Sequence, residues 1–197
     1  MSNAPVRAEP VEAQPPGQPA SPSTEPVLSL SKGSGRTQAS GSTAQRLRWR
    51  CVPFAGLDAS TLYALLQLRS QVFVVEQNCV YLDPDGADPQ CFHLLGFDAQ
   101  AQLQAALRLV PPGMKYAEAS IGRVVTSAAV RGGGVGHELV AQGLRESALI
   151  YPGHGLRISA QAHLQRFYEA HGFRAEGDTY LEDDIPHIEM SRGAPAL

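Results

Sequence analysis

From Leu47 onward the chain alternates short apolar runs with polar turns, and the periods of those runs predict its elements. Leu62, Leu65, Leu66, Val72 and Phe73 recur at spacings near three and four, the period of one helical face, and Asp58 or Ser60 stands where an N-cap is needed. "HLLGF" and "LQAALRLV" are strand-like runs separated by "DAQAQ", which reads as a hairpin. "SIGRVVTS" is a third strand, more apolar and richer in β-branched residues. His137 to Ile150 places Leu139, Val140, Gly143, Leu144 and Ser147 on one side of a second helix, ended by Pro152 and Gly153. "LRISAQ" is a fourth strand, "HLQRFYEAHGF" a short helix with Gly172 after its end, and "FRAEGDTYLEDDIPHIEM" supplies two more strands around an acidic turn. A hairpin followed by strand, helix, strand, helix and strand predicts an α/β (α+β) fold with a mixed central β-sheet flanked by helices.

Before Leu47 the pattern is absent. Residues 1–45 interleave Pro5, Pro10, Pro15, Pro16, Pro19, Pro22 and Pro26 with Gly, Ser, Thr and Gln, and no aromatic residue precedes Trp49. Such a segment buries too little apolar area to offset an ordering entropy of about 1–2 kcal/mol per residue, so a disordered tail over 1–45 and a folded domain over 46–197 are expected. "PVRAEPVEAQPPGQPA" breaks every apolar pair with proline or charge, unlike a secretory signal, and no apolar run has transmembrane length.

Charge changes the picture little. A net charge of -3 and a sequence pI near 6.1 leave no general footprint for nucleic acid or an anionic membrane. Cys51, Cys79 and Cys91 form no C-x-x-C and meet no histidine pair at zinc-ligand spacing, so neither a disulfide framework nor a metal site is expected, and the chain is assigned to the cytoplasm. Asp83, Asp85 and Asp88 carry a spacing reminiscent of calcium loops, but Pro84 and Pro89 interrupt the frame and no Glu closes it.

The chemistry concentrates in "RVVTSAAVRGGGVGHELV", Arg123 to Val140. Four glycines crowd a strand-to-helix junction, where free amides and the helix dipole suit an anion, phosphate above all. A Walker A loop would need Lys after the glycines, yet His137 and Glu138 follow Gly136; a dinucleotide fingerprint would need a third glycine where Leu139 stands. What fits is R-x-x-G-x-G, as Arg131-Gly132-Gly133-Gly134-Val135-Gly136. In this frame Gly134 and Gly136 hold the spaced positions, and Gly132 and Gly133 fill variable ones.

Together with "LRSQVFVVEQNCVYLDPDGAD", "SAQAHLQRFYEAHGF" and "YLEDDIPHIEM", this stretch resembles the ElaA-like branch of the GCN5-related N-acetyltransferase (GNAT) superfamily. The likeness covers nearly everything after Leu47; Asp184 departs from it, standing where that branch has Gly. The resemblance implies the GNAT fold, acetyl-CoA as co-substrate with no metal, and direct transfer of the acetyl group to an amine. It implies main-chain contacts from Val124 and Val125 to the pantetheine arm, a pyrophosphate held by Arg131, Gly132, Gly133, Gly134, Val135 and Gly136, and Tyr168 as the acid that protonates the leaving thiolate. A core role for the Phe167-Tyr168 pair competes with the last assignment. Glu118 is the candidate general base, with Glu76, His93 and His187 as rivals. Arg108 and Arg123 can steer an acidic substrate or simply be ion-paired, and Gln161 and His163 can touch the pantetheine or cap the tyrosine helix. The acidic residues 83–88 and 182–184 would suit a cationic acceptor or form a solvated face. The expected partner is a small-molecule or peptide amine, and the chain a monomer or homodimer. A non-catalytic acyl-CoA-binding sensor or interaction module is the alternative, with an NTP-binding protein as a third reading.

Overall fold

The computed structural model describes residues 46–194, so the expected disordered tail lies outside the described residues. The first element is a strand that periodicity did not reveal. Strand β1 (Arg48–Pro53) alternates half-buried with exposed positions, Trp49 and Cys51 inward and Arg48 and Arg50 outward, and pairs antiparallel with β2 (Phe92–Phe97). Helix α1 (Ala59–Arg69) begins as expected at Asp58, whose carboxylate accepts from Thr61 N at 2.8 Å. It then widens without a break into a π-helical segment, Ser70–Glu76. The wider turn carries Val72 onto the same apolar cluster as Leu65, against Leu95 and Ala106 of the sheet.

Strands β1, β2, β3 (Leu103–Val110) and β4 (Ser120–Thr126) form one antiparallel sheet in that order. Its faces divide by parity on β3: Ala106 meets the α1 cluster, while Leu107 and Leu109 meet the cluster under α2 (Val135–Ile150). Leu139, Val140, Gly143 and Ser147 of α2 are buried, as the helical period predicts, and Leu144 is half-buried. At Gly143 a Cβ would lie 2.6 Å from the Leu107 side chain, so the glycine lets the helix sit close on β3. Burying each such leucine contributes roughly 1.5–3 kcal/mol.

The second half of the chain builds a three-stranded antiparallel sheet, ordered β5 (Leu156–Gln161), β7 (Ile185–Arg192), β6 (Arg174–Glu182), with the short helix α3 (Gln165–Glu169) between β5 and β6. Ile158, Ala160, Ile188 and Met190 join the α2-side cluster. By alternation, Arg157, Ser159, Gln161, His187 and Glu189 therefore project to the opposite face, the one that carries α1 on the first sheet. The hairpin from β6 to β7 turns at Asp183 and Asp184, with φ of 50° and 61°. Asp184 accordingly serves in a two-residue turn that favours glycine.

Candidate active site

Strands β4 and β5 run parallel from one bridge. Ala119 N donates to Gly155 O at 3.2 Å and Arg157 N donates to Ala119 O at 3.0 Å. Beyond that point no ladder joins the strands among the described residues, and the fold parts into its two sheets, leaving a cleft along the outer edge of β4. Midway along that edge the strand bulges. Ala106 pairs with Val125 and Arg108 with Gly122, so Arg123 and Val124 together oppose Leu107, and Arg123 has φ 53°. Packing records the shift: Val124 lies against the α2-side cluster, while Val125 is buried in the α1-side cluster.

The glycine loop follows β4. Gly132 and Gly134 have φ of 80° and 85°, and Gly134 caps α2 in the left-handed region. This amends the frame drawn from sequence: Gly132 carries a conformational requirement, whereas Gly136 lies inside the helix, its Cβ position 3.7 Å from the Phe167 ring. The amides of Gly132 through His137 donate no hydrogen bond of ordinary length and angle among the described residues; the first such main-chain bond into the helix is Glu138 N to Gly134 O, 3.1 Å. Arg131 is engaged within the protein. Its guanidinium turns back to donate to Thr126 O at 2.9 Å and reaches Glu76 Oε2 at 2.8 Å, a charge contact outside hydrogen-bond angles. Its amide meets Ala128 O. Arg131 thus braces the loop against β4 and the π-helical segment, and occupies the rival base Glu76.

Tyr168 on α3 is 7% exposed and belongs to the cluster that contains Val135 and Ala160 and borders Val124. Phe167 and Phe173 meet its ring edge-on, with centroids 5.0 and 5.8 Å away. The aromatic pair thus packs with the core. Burial raises the phenol pKa well above its ordinary value, so the group holds its proton.

A strand edge opened by a splay runs into an amide-rich loop at a helix start, and a buried, protonated tyrosine belongs to the same apolar cluster as Val135 of that helix. Residues 92–193 match the acetyltransferase (GNAT) domain. The chain belongs to the GNAT acyl-CoA N-acyltransferase family. Protein ElaA of Escherichia coli is 42% identical over 148 residues, covering 74% of this chain and 96% of ElaA. The UPF0039 protein sll0451 of Synechocystis sp. is 45% identical over 144 residues, covering 73% of this chain and 94% of its own length. Among solved structures, an acyl-CoA N-acyltransferase from Pseudomonas aeruginosa aligns with a TM-score of 0.71 at 46% identity, covering 75% of this chain and 99% of that one.

Around this GNAT cleft the candidate bases are engaged. Glu118 is held by Arg157 at 3.2 Å, and hydrogen bonds from that guanidinium lower its pKa. Arg157 is shared with Glu176 at 2.8 Å and Glu189 at 3.1 Å. His93 is 1% exposed beneath Asp88 O, and burial lowers its pKa. His187 Nδ1 lies 2.8 Å from Ile185 O. Gln161 reaches Gln77 at 3.3 Å, bridging β5 to the end of the π-helical segment. On the same face Ser159 donates to Glu182 at 2.8 Å and lies 2.6 Å from Tyr180 Oη.

The largest departure from sequence concerns residues 83–88. Rather than awaiting a cation, each aspartate is paired: Asp83 with Arg69 and Arg123 at 2.8 Å each, Asp85 with Arg108 at 2.7 Å, and Asp88 with Arg69 at 2.8 Å and Arg108 at 3.0 Å. Hydrogen bonds from Arg108 hold Asp85 well below the usual carboxylate range. Burial pushes Asp88 up, but the bonds and charges of Arg69 and Arg108 outweigh it, leaving its pKa lowered. Arg108 and Arg123 are thereby ion-paired within the protein. Among the described residues no group of three or more His, Cys, Asp or Glu is placed to hold a metal, and no helix is long and apolar enough to cross a membrane.

Proposed function

We propose that this GNAT protein transfers an acetyl group from acetyl-CoA to a small-molecule or peptide amine by direct attack while both are bound. The observation that carries the reading is the open edge of β4 running into the row of undonated amides from Gly132 to His137. That donor set fits a pyrophosphate, each bond to a charged group contributing about 1.5–3 kcal/mol. Main-chain groups of Val124 and Val125 hold the pantetheine arm along the strand. The acceptor enters from the α1 face, where Ser159, Gln161, Glu182 and His187 stand.

The amine nitrogen bonds to the thioester carbonyl carbon, the carbon–sulfur pair leaves on sulfur, and Tyr168 passes its proton to that sulfur. The surplus proton on the amine passes to solvent water and from solvent restores the phenol, because Glu118 is held down by Arg157. Holding both reactants in line removes about 7–11 kcal/mol of barrier.

The test is a thiol-release assay across a panel of amines. Tyr168→Phe is expected to slow turnover about a hundredfold while leaving acetyl-CoA affinity unchanged. Glu118→Gln is expected to leave the pH profile of kcat/KM in place. Wild-type turnover in Tyr168→Phe would sink the tyrosine assignment, and a shifted profile in Glu118→Gln would return the base to Glu118. Acetyl-CoA binding with no turnover on any amine would favour a non-catalytic acyl-CoA sensor or interaction module.

A further inference from the structure

The geometry points to Arg123 as a positioning residue for the acyl-CoA strand: its side chain fixes the left-handed bulge that sets which main-chain groups of Val124 and Val125 face the cleft. The inference rests on the reading that the open edge of β4 receives the pantetheine arm.

A left-handed position inside a bulged strand is ordinarily glycine's, and another residue stays there only when its surroundings enforce it. At Arg123 the enforcement is visible. Nε donates to Asp83 Oδ1 at 2.8 Å, Nη2 donates to Asp83 O at 3.0 Å, and Nη2 reaches Asp85 Oδ2 at 3.3 Å. The guanidinium also lies 5.7 Å from the Tyr81 ring centroid. Both acids are anchored independently. Asp83 is tied to Arg69 at the end of α1, each side chain 1% exposed. Asp85 accepts two 2.7 Å bonds from Arg108, which sits on β3, the strand against which the bulge forms. The clamp therefore runs from the bulge to the strand and helix on either side of it.

What it sets is parity. In a regular strand, residues 121 and 125 would share a face; here Ile121 packs in the α2-side cluster and Val125 in the α1-side cluster. Losing the bulge would slip the strand by one residue and exchange the faces of Val124 and Val125. The glycine loop meets β4 only through its end, where Arg131 holds Thr126 O at 2.9 Å, so a fault in the clamp is felt most at the pantetheine half of the ligand and less at the pyrophosphate half.

Calorimetric titration of the full chain tests this with acetyl-CoA and with 3′-phosphoadenosine 5′-diphosphate, which carries the pyrophosphate without the pantetheine arm. Arg123→Ala is expected to weaken acetyl-CoA about tenfold and the nucleotide by no more than about twofold. Arg123→Gly, whose backbone accepts positive φ unaided, is expected to stay within about threefold of wild type for both ligands. If Arg123→Ala does not fold, Arg123→Lys, which keeps the charge but not the fork onto Asp83, carries the same expectation as the alanine variant. The inference is overturned if the clamp-breaking variant binds acetyl-CoA like wild type, loses both ligands equally, or is matched in its loss by Arg123→Gly. Wild-type protein that binds neither ligand would overturn the acyl-CoA reading as well, whereas wild-type binding with an unaffected variant overturns the clamp alone.

Discussion

Two segments bordering the cleft adopt left-handed backbone by opposite means. In the loop, Gly132 and Gly134 do so because they lack a Cβ, and nothing lies within 4 Å of where one would be. In β4, Arg123 does so while carrying a long side chain, held by Asp83 and Asp85. The loop gives up conformational entropy to leave its amides free, whereas the bulge uses an ion-pair lattice to keep one strand register. Under the proposed reading the chain leaves itself bare where the ligand supplies the contacts, and it is cross-braced where it must hold its own shape.

The sharpest break in that comparison is Gly134→Val. A β-branched residue resists φ near 85°, so the cap of α2 and the amides around it misalign, and acetyl-CoA affinity is expected to fall about a hundredfold by calorimetry. Gly133 has no such requirement, and its Cβ would meet only Val130 O at 3.9 Å, so Gly133→Ala is expected to change affinity by no more than about twofold. Equal losses would mean that the two glycines were assigned the wrong parts.

A smaller effect separates the braced side. Asp85 and Asp88 have folded pKa values below the unfolded value near 4, so their contribution is complete above that value and is lost as pH falls toward the folded ones. Thermal midpoints measured from pH 7 downward are expected to hold until about pH 5 and then decline. Asp85→Asn should lower the plateau and make the decline shallower; an unchanged slope would detach Asp85 from acid stability. The least effect belongs to the turn, where Asp183 and Asp184 are left-handed with neither glycine nor clamp. Asp184→Gly is expected to stabilise the protein by about 0.5 kcal/mol in urea unfolding, and a loss of stability would show that the carboxylate has a partner of its own.

The difference between the two segments also explains what could be read in advance. Glycine at the loop announces itself by composition, and the amphipathic stripe of α2 by its period; the Asp58 cap lies beside the helix it begins. These are local signals. Arg123 reads as one more polar residue in a strand, because its partners lie 38 and 40 positions away in the chain. For the same reason the acidic residues 83–88 looked free: pairing with Arg69, Arg108 and Arg123 is created only by the fold. Strand β1 gives little sequence signal because its two outward arginines leave a short, weak alternation, and the π-helical widening after Arg69 has no residue-level signature. The parting of β4 from β5, with its single bridge at Ala119, is not legible in any periodicity.

That parting has a kinetic consequence. The amides from Gly132 to His137 stand at the start of α2, while Ser159 and Gln161 lie on the face of β5 turned away from the α2-side cluster, so the candidate donor and acceptor groups belong to different elements. Under the proposed reading a donor and an acceptor need not queue through a common door. Either can arrive first, each product can depart through its own side, and initial-velocity lines should intersect rather than run parallel.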